Sequence, residues 1–175
     1  MKFITDEPAL LVNETLVIGD LHIGIEYELY KSGISLIPKM ESMLRRVRKL
    51  LDLTGAKKLV ILGDLKHNIP ETSRQESSEV PEFLGALLKD VKIDLVPGNH
   101  DGGIKELLPE GVTLYGSEGF LSDGYYFTHG HTWPSKDICR AETLLMSHIH
   151  PAVEFRDSLG FRSVEHCWLT GSVDR

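Results

Sequence analysis

The sequence predicts an α/β protein of layered, mixed sheets, and three observations carry the prediction. Early in the chain, short apolar runs alternate with segments whose apolar residues recur at helical spacing. Later, turn residues such as Asp123-Gly124 join apolar runs directly, which reads as hairpins rather than helical crossovers. No repeat, low-complexity tract or linker interrupts the 175 residues, so residues 1–175 are expected to form a single domain around one substantial core. A purely parallel, doubly wound sheet would not mix these two patterns.

The elements follow in order. ALLV (9–12) and TLVIG (15–19) flank Asn13-Glu14 and predict two strands joined by a tight turn. IEYELYKSG predicts a helix that stops at Gly33. From 38 to 53, Met40, Met43, Leu44, Val47, Leu50 and Leu51 share one helical face, with Pro38 near the start and Gly55 beyond the end. The opposite face carries Arg45, Arg46, Arg48 and Lys49, read as a solvated surface in preference to a nucleic-acid contact. KLVIL (58–62) and KIDLV (92–96) are buried-strand patterns. Between them, the polar stretch KHNIPETSRQESSEV predicts a loop, then a helix near 80–89 with Pro81 in its first turn. A short helix near 102–108 and a strand near 112–115 come next. GFLSDGYYFTHGH predicts a hairpin, TLLMSHIH (143–150) another strand, and the final segment a hairpin turning near Ser158-Leu159-Gly160.

One event recurs at the strand ends. An apolar run stops and oxygen- and nitrogen-bearing side chains follow: GDLH (Asp20, His22), GDLKH (Asp64, His67), GNHD (Asn99, His100, Asp101), HGH (His129, His131) and SHIH (His148, His150). Seven of the eight histidines fall in these five loops, a concentration that scattered surface histidines would not produce. Loops after strands converge on the sites of open α/β sheets. Gly19, Gly63, Gly98 and Gly130 carry no Cβ and allow the backbone to approach a bound group closely.

These donors narrow the chemistry. No cysteine accompanies them, which argues against a structural zinc site. Carboxylate, amide oxygen and imidazole together suit Mn²⁺, Fe, Zn²⁺ or Ni²⁺, and there are more donors than one ion needs. Two divalent ions sharing a carboxylate is the economical arrangement.

The series D-x-H, G-D, G-N-H-D, H-G-H and H-x-H, in that order over residues 20–150, closely resembles the calcineurin-like metallophosphoesterase superfamily. GDLHIG, LGDLKH and the early HGH most resemble archaeal phosphoesterases related to the double-strand-break repair nuclease, and bacterial DNA-ligase-associated phosphoesterases. The resemblance implies a four-layer α/β/β/α sandwich. It implies that Asp20, His22 and His150 hold one ion, that Asp64 bridges both, and that Asn99, His129 and His148 hold the second. Mn²⁺ is the favoured metal, with Fe, Ni or Zn as alternatives. The implied activity is hydrolysis of a phosphodiester by a hydroxide shared between the ions. The catalytic pair would be His100, protonating the leaving alkoxide, and Asp101, orienting His100 or its loop. His67 is expected to orient ligands from behind. His131 either assists an ion or phosphate, or is an ordinary hydrogen-bonded loop residue. Two departures stand out: His67 follows Asp64 where many relatives have G-D-x-x-D, and Ser147 precedes His148 where many have glycine. Neither removes a donor.

Bulk properties set the rival readings. A net charge of −7 argues against a broad basic face for nucleic acid, although bound cations would reverse the local potential. A nuclease acting with a partner protein, on nucleic acid or nucleotide, shares the chemistry but needs contacts that only the cluster at 45–49 and Lys57-Lys58 suggests. A non-catalytic scaffold of the same fold would be expected to lack some of the donors present here. No apolar run reaches the ~18 residues of a membrane span, and MKFITDEPALLV does not read as a signal peptide. With Cys139 and Cys167 expected as free thiols, the expected compartment is the cytoplasm. Trp133 and Trp168 are expected to pack rather than to line a substrate rim.

Overall fold

Strand β4 (Lys58–Leu62) shows how the layers arise. Alternate residues of a strand face opposite ways: Leu59 and Ile61 enter one core, Val60 and Leu62 another. Its parallel neighbours β3 (Thr15–Ile18) and β5 (Lys92–Val96) divide in the same way, Leu16, Ile18, Ile93 and Leu95 to the first core, Val17 and Val96 to the second. Strands apolar on both faces must be covered on both faces. The structure, a computed structural model, describes residues 1–172.

The larger sheet has six strands in chain order: β1 (Lys2–Phe3), β2 (Leu10–Val12), β3, β4, β5 and β6 (Val112–Leu114). The first two additions are antiparallel and the rest parallel, so the sheet is mixed as expected. Besides α1 (Ile25–Lys31), the helices are α2 (Met40–Thr54) and α3 (Arg74–Leu87). Val47, Leu50 and Leu51 of α2, with Val80, Phe83, Leu84 and Leu87 of α3, fill the first core. Each fully buried side chain of this size is worth about 1.5–3 kcal/mol relative to exposure.

On the other face lies a three-stranded sheet of β7 (Phe120–Ser122), β8 (Tyr125–Thr128) and β9 (Thr143–Met146), whose Phe127 and Leu145 close the second core. Asp123 and Gly124, at φ 49° and 81°, form the expected hairpin turn between β7 and β8. β9 then returns parallel to β8, so both ends that carry histidines point the same way. Beyond this sheet, a 3₁₀ turn (Lys136–Arg140) lies against it, and the Tyr126 hydroxyl accepts from the Ser135 N–H and donates to the Glu118 carbonyl. The order of layers is thus helices, sheet, sheet and a short helical turn. β10 (Ala152–Arg156) and β11 (Arg162–His166) form the closing hairpin, turning at Gly160. Trp168 packs its ring on Phe3 at 5.0 Å, but Trp133 is 92% exposed, so the packing expected of Trp133 is not found.

The strand expected over 143–150 ends at Met146, where the donor loop begins, and helix α3 differs most in extent. α3 begins at Arg74, six residues before the expected start, and Pro81 lies inside it. The cause is a capping box: Ser73 Oγ accepts from the Glu76 N–H, and Glu76 Oε2 accepts from the Ser73 N–H at 2.6 Å. Glu76 is fully buried, and its other oxygen accepts from the His67 and Asn68 N–H groups at 2.8 and 2.6 Å. Helix start and site loop therefore share one carboxylate.

Burial pushes the Glu76 carboxyl up, but the backbone donors of Asn68 and Ser73 outweigh it and hold its pKa below the ordinary 4.5. A depressed folded-state pKa contributes stability that is complete above pH 4.5 and is lost as pH falls through the lower folded value. Glu76→Ala is expected to cost at least about 2 kcal/mol in urea unfolding, against about 1 kcal/mol for Ser73→Ala. Glu76→Gln should flatten the acid limb of the stability curve. An unchanged acid limb would contradict the ionised, backbone-bonded carboxylate.

Candidate metal centre

The parallel ends of β3, β4 and β5 place three of the motif loops side by side. Two of them continue pairing after the strands stop: the Asp20, His22 and Ile23 N–H groups donate to the Gly63, Asp64 and Leu65 carbonyls at 3.0, 2.8 and 2.9 Å. The ends of β8 and β9 bring His129 and His148 from the second sheet. One donor atom each from Asp20, His22 and His150 lies within 4.8 Å of the others. The same holds for Asp64, His129 and His148, and for His22, His67 and His100.

Asp64 lies between the first two groups. Its Oδ1 accepts from the His100 N–H at 2.9 Å, while its Oδ2 is 3.7 Å from His22 Nε2 and 3.5 Å from His129 Nε2. Gly63 and Gly98 make this approach possible: a Cβ on Gly63 would stand 2.5 Å from His129 Nδ1, and one on Gly98 would run into the Asp64 carboxylate and N–H.

His129 is fully buried and fixed from behind. Its Nδ1–H donates to the Leu62 carbonyl at 2.8 Å, with Ser147 Oγ 3.0 Å away. Ser147 Oγ itself donates to that carbonyl. Ser147, directly before H-x-H, thus braces the imidazole. Nε2 is left facing Asn99 Oδ1 at 3.1 Å, His148 Nδ1 at 3.2 Å and Asp64 Oδ2. A nitrogen surrounded by acceptors needs a cation or a proton among them.

The protonation states follow from burial and neighbours. Burial lowers His22 to about 4, leaving it uncharged at neutral pH with one ring nitrogen free to donate its lone pair. For Asp64, burial acts upward, but hydrogen bonds from His129 and the His100 N–H outweigh it and bring the carboxyl down to about 2. His129 shows the converse, with burial lowering it and the bond to Asp64 raising it further. Asp20 is raised by burial against the pull of His150 and His129. Its buried Oδ1 has no hydrogen-bond partner among the described residues, and imidazole nitrogens of His129 and His150 both lie 3.8 Å away. An orphaned carboxylate oxygen facing imidazoles at that spacing fits a divalent cation held between them.

Residues 14–169 match the family model described as calcineurin-like phosphoesterase. The chain belongs to that family. Its layered mixed sheets agree with that family's fold. Among solved structures, the Pseudomonas putida nuclease MPE is 23% identical, with TM-score 0.53, over 85% of this chain and 66% of that one. Yfce, a phosphoesterase from E. coli, is also 23% identical, with TM-score 0.44, over 69% of this chain and 62% of that one. This chain spans less than two thirds of either length. No curated protein sequence matches it.

The remaining sequence-predicted residues fall around the two donor groups as follows. His100 Nδ1–H donates to the His67 carbonyl, and its ring lies 4.8 Å from that of His22. Asp101 is buried beneath the loop, its oxygens accepting from the Lys66 and Gly98 N–H groups at 3.1 and 2.8 Å. That bonding ties GNHD to GDLKH and orients the loop; burial raises its carboxyl. His67 faces His22 rather than Asp64, Nδ1 to Nδ1 at 3.2 Å. The His131 ring lies 5.2 Å from His129, and its buried Nδ1 has no hydrogen-bond partner among the described residues. Glu76 and Glu28 were not anticipated. The first had a signal in S-x-x-E; the second, 2.6 Å from His67 Nε2, had none.

Gly98→Ala is expected to displace Asp64, costing about 1–3 kcal/mol of stability through overpacking and weakening metal binding together with activity. Calorimetric titration with Mn²⁺ alongside thermal unfolding checks this. Wild-type metal affinity in a destabilised variant would contradict the close approach.

Proposed function

We propose that this chain is a binuclear phosphodiesterase that favours Mn²⁺. The observation that carries the reading is Asp64 Oδ2, set between His22 on one side and His129 on the other, so that one carboxylate serves both donor groups. Asp20, His22 and His150 would hold one ion, Asn99, His129 and His148 the other, and Asp64 would bridge them. When bound, two such ions supply a nucleophile at neutral pH and offset charge on the phosphoryl oxygens. The protein's part is positioning. His100 is held by its N–H on Asp64 and its Nδ1–H on the His67 carbonyl, so Nε2 is the nitrogen available to a substrate. In its imidazolium form it holds a proton at Nε2 for the leaving alkoxide.

The choice of a small diester over nucleic acid rests on the basic residues. Arg45 pairs with Glu41, Arg46 with Glu7, Arg48 with Asp90, Lys57 with Glu14 and Lys58 with Asp94. Cations already matched to carboxylates on their own surface do not form a phosphate-tracking stripe. The complete donor set supports an enzyme over a scaffold. Two exposed free thiols, Cys139 and Cys167, support a reducing compartment such as the cytoplasm. None of the helices among the described residues is long and apolar enough to cross a membrane.

The test is hydrolysis of bis-p-nitrophenyl phosphate by metal-stripped protein titrated with Mn²⁺. Activity should saturate near two ions per chain, and saturation at one would contradict the binuclear reading. Asp64→Ala should lose at least one ion. His100→Ala should keep both ions yet lower turnover about 10²–10⁴-fold on diesters with poor leaving groups, and far less on nitrophenyl esters. Loss of metal in that variant would make His100 a ligand instead. Efficient, steeply salt-sensitive cleavage of oligonucleotides would favour the nuclease reading.

A further inference from the structure

The third histidine group, His22 with His67 and His100, is not used up by the two ion positions. It continues outward to a carboxylate on α1. Glu28 Oε2 lies 2.6 Å from His67 Nε2, His67 Nδ1 lies 3.2 Å from His22 Nδ1, and His22 Nε2 faces Asp64 Oδ2 at 3.7 Å. Four side chains from α1 and two motif loops therefore stand in line.

Elementary hydrogen-bond chemistry sets the direction of this line. An ionised carboxylate only accepts, so His67 Nε2 must donate to Glu28. In a neutral imidazole the other nitrogen is then an acceptor, and His67 Nδ1 receives a hydrogen from His22 Nδ1. His22 is thereby held as the Nδ1–H tautomer, with the lone pair on Nε2 directed toward Asp64. The reverse assignment would place the His22 proton on Nε2, against the position a cation needs.

We infer that Glu28 and His67 are a positioning pair that fixes the tautomer and ring orientation of His22, presenting Nε2 to a divalent cation. The inference rests on the binuclear reading only in taking His22 as a ligand. Carboxylate–imidazole support behind a ligand raises its basicity, and losing it costs about 10–100-fold in metal affinity. The α1 helix is then part of the site. Its N-terminus follows the D-x-H motif at once, and the Ile23 N–H and carbonyl bond to the Leu65 carbonyl and the His67 N–H, which sets Glu28 opposite His67.

The experiment uses the full chain in two measurements. Long-range ¹H–¹⁵N correlation spectra of the metal-free protein read the imidazole tautomers directly. Wild type should show Nδ1–H on His22 and Nε2–H on His67. Glu28→Ala should abolish the His67 preference, while Glu28→Gln, whose amide oxygen still accepts, should retain it. Calorimetric titration with Mn²⁺ should show one of two ions weakened about 10–100-fold in Glu28→Ala and largely restored in Glu28→Gln. Nε2–H on His22, or tautomers and affinity unchanged in Glu28→Ala, would overturn the inference. Tautomers as assigned in a wild type that binds fewer than two ions would support the positioning pair and count against the binuclear reading alone.

Discussion

The buried carboxylate of Asp64 imposes the constraint from which the rest of the centre follows. It is only 3% exposed, and an ionised carboxylate taken from water is several kcal/mol unfavourable unless its charge is met locally. One oxygen is met by the His100 N–H; the other faces the imidazole nitrogens of His22 and His129. Those imidazoles come from a loop after β3 and from one after β8 in the other sheet. They can converge because β3, β4 and β5 are parallel and end at one edge, while the second sheet lays β8 over them through Phe127 and the core beneath. Reversing one of these strands would carry its loop to the far edge. The packing of two sheets is thus what allows a single acidic side chain to face imidazoles from both.

Convergence at this density deforms the backbone. Asp20, His22, Asp64, His148 and His150 all lie in the left-handed region, at φ 53°, 48°, 50°, 68° and 41°. Such residues cost on the order of 1–3 kcal/mol each when the side chain is not glycine. Aspartate and histidine tolerate the region better than bulky or branched residues, and the same types donate to metals. Glycine would relieve the strain and remove the donor. Side chains are therefore kept where the chemistry needs them, and glycine where there is no room, as at Gly63 and Gly98. The strain persists because the flanking strands are fixed by two cores.

What was legible in the sequence was what is local. Strands such as Lys58–Leu62 and Lys92–Val96, and the donors after them, could be read because apolar period and strand-end chemistry lie in adjacent residues. Helix α3 starts earlier than Pro81 suggests because the S-x-x-E box, not the proline, sets its first turn. Proline in a helix interior is costly, yet the buried face of Val80, Phe83, Leu84 and Leu87 holds this helix through it. Contacts set by distant chain segments were not legible at all. Glu28 meets His67 across 39 positions and Ser147 meets the Leu62 carbonyl across 85, and no pattern in either neighbourhood encodes its partner. Trp133 shows the opposite limit: residue type predicts packing for a large aromatic beside a motif, yet it stands in solvent.

The two donor groups differ in how firmly the fold holds them, and the difference has a physical origin. Asp64 and His129 are buried at 4% and 0% side-chain exposure and are braced by the His100 N–H and the Leu62 carbonyl. Asp20 and His150, at 19% and 48%, lie nearer solvent, with His150 on the loop that leads to the exposed β10–β11 hairpin. In that outer group His22 is buttressed from behind, through His67 and Glu28. His67 is anchored in turn by Glu76 at the start of α3, whose apolar face belongs to the first core. Rigidity thus passes from the helical layer through one buried carboxylate to the loop carrying His67. The inner half of the centre is preorganised by the strands themselves, while the outer half depends on this helix-anchored contact at His22, with His150 half exposed beside the closing hairpin.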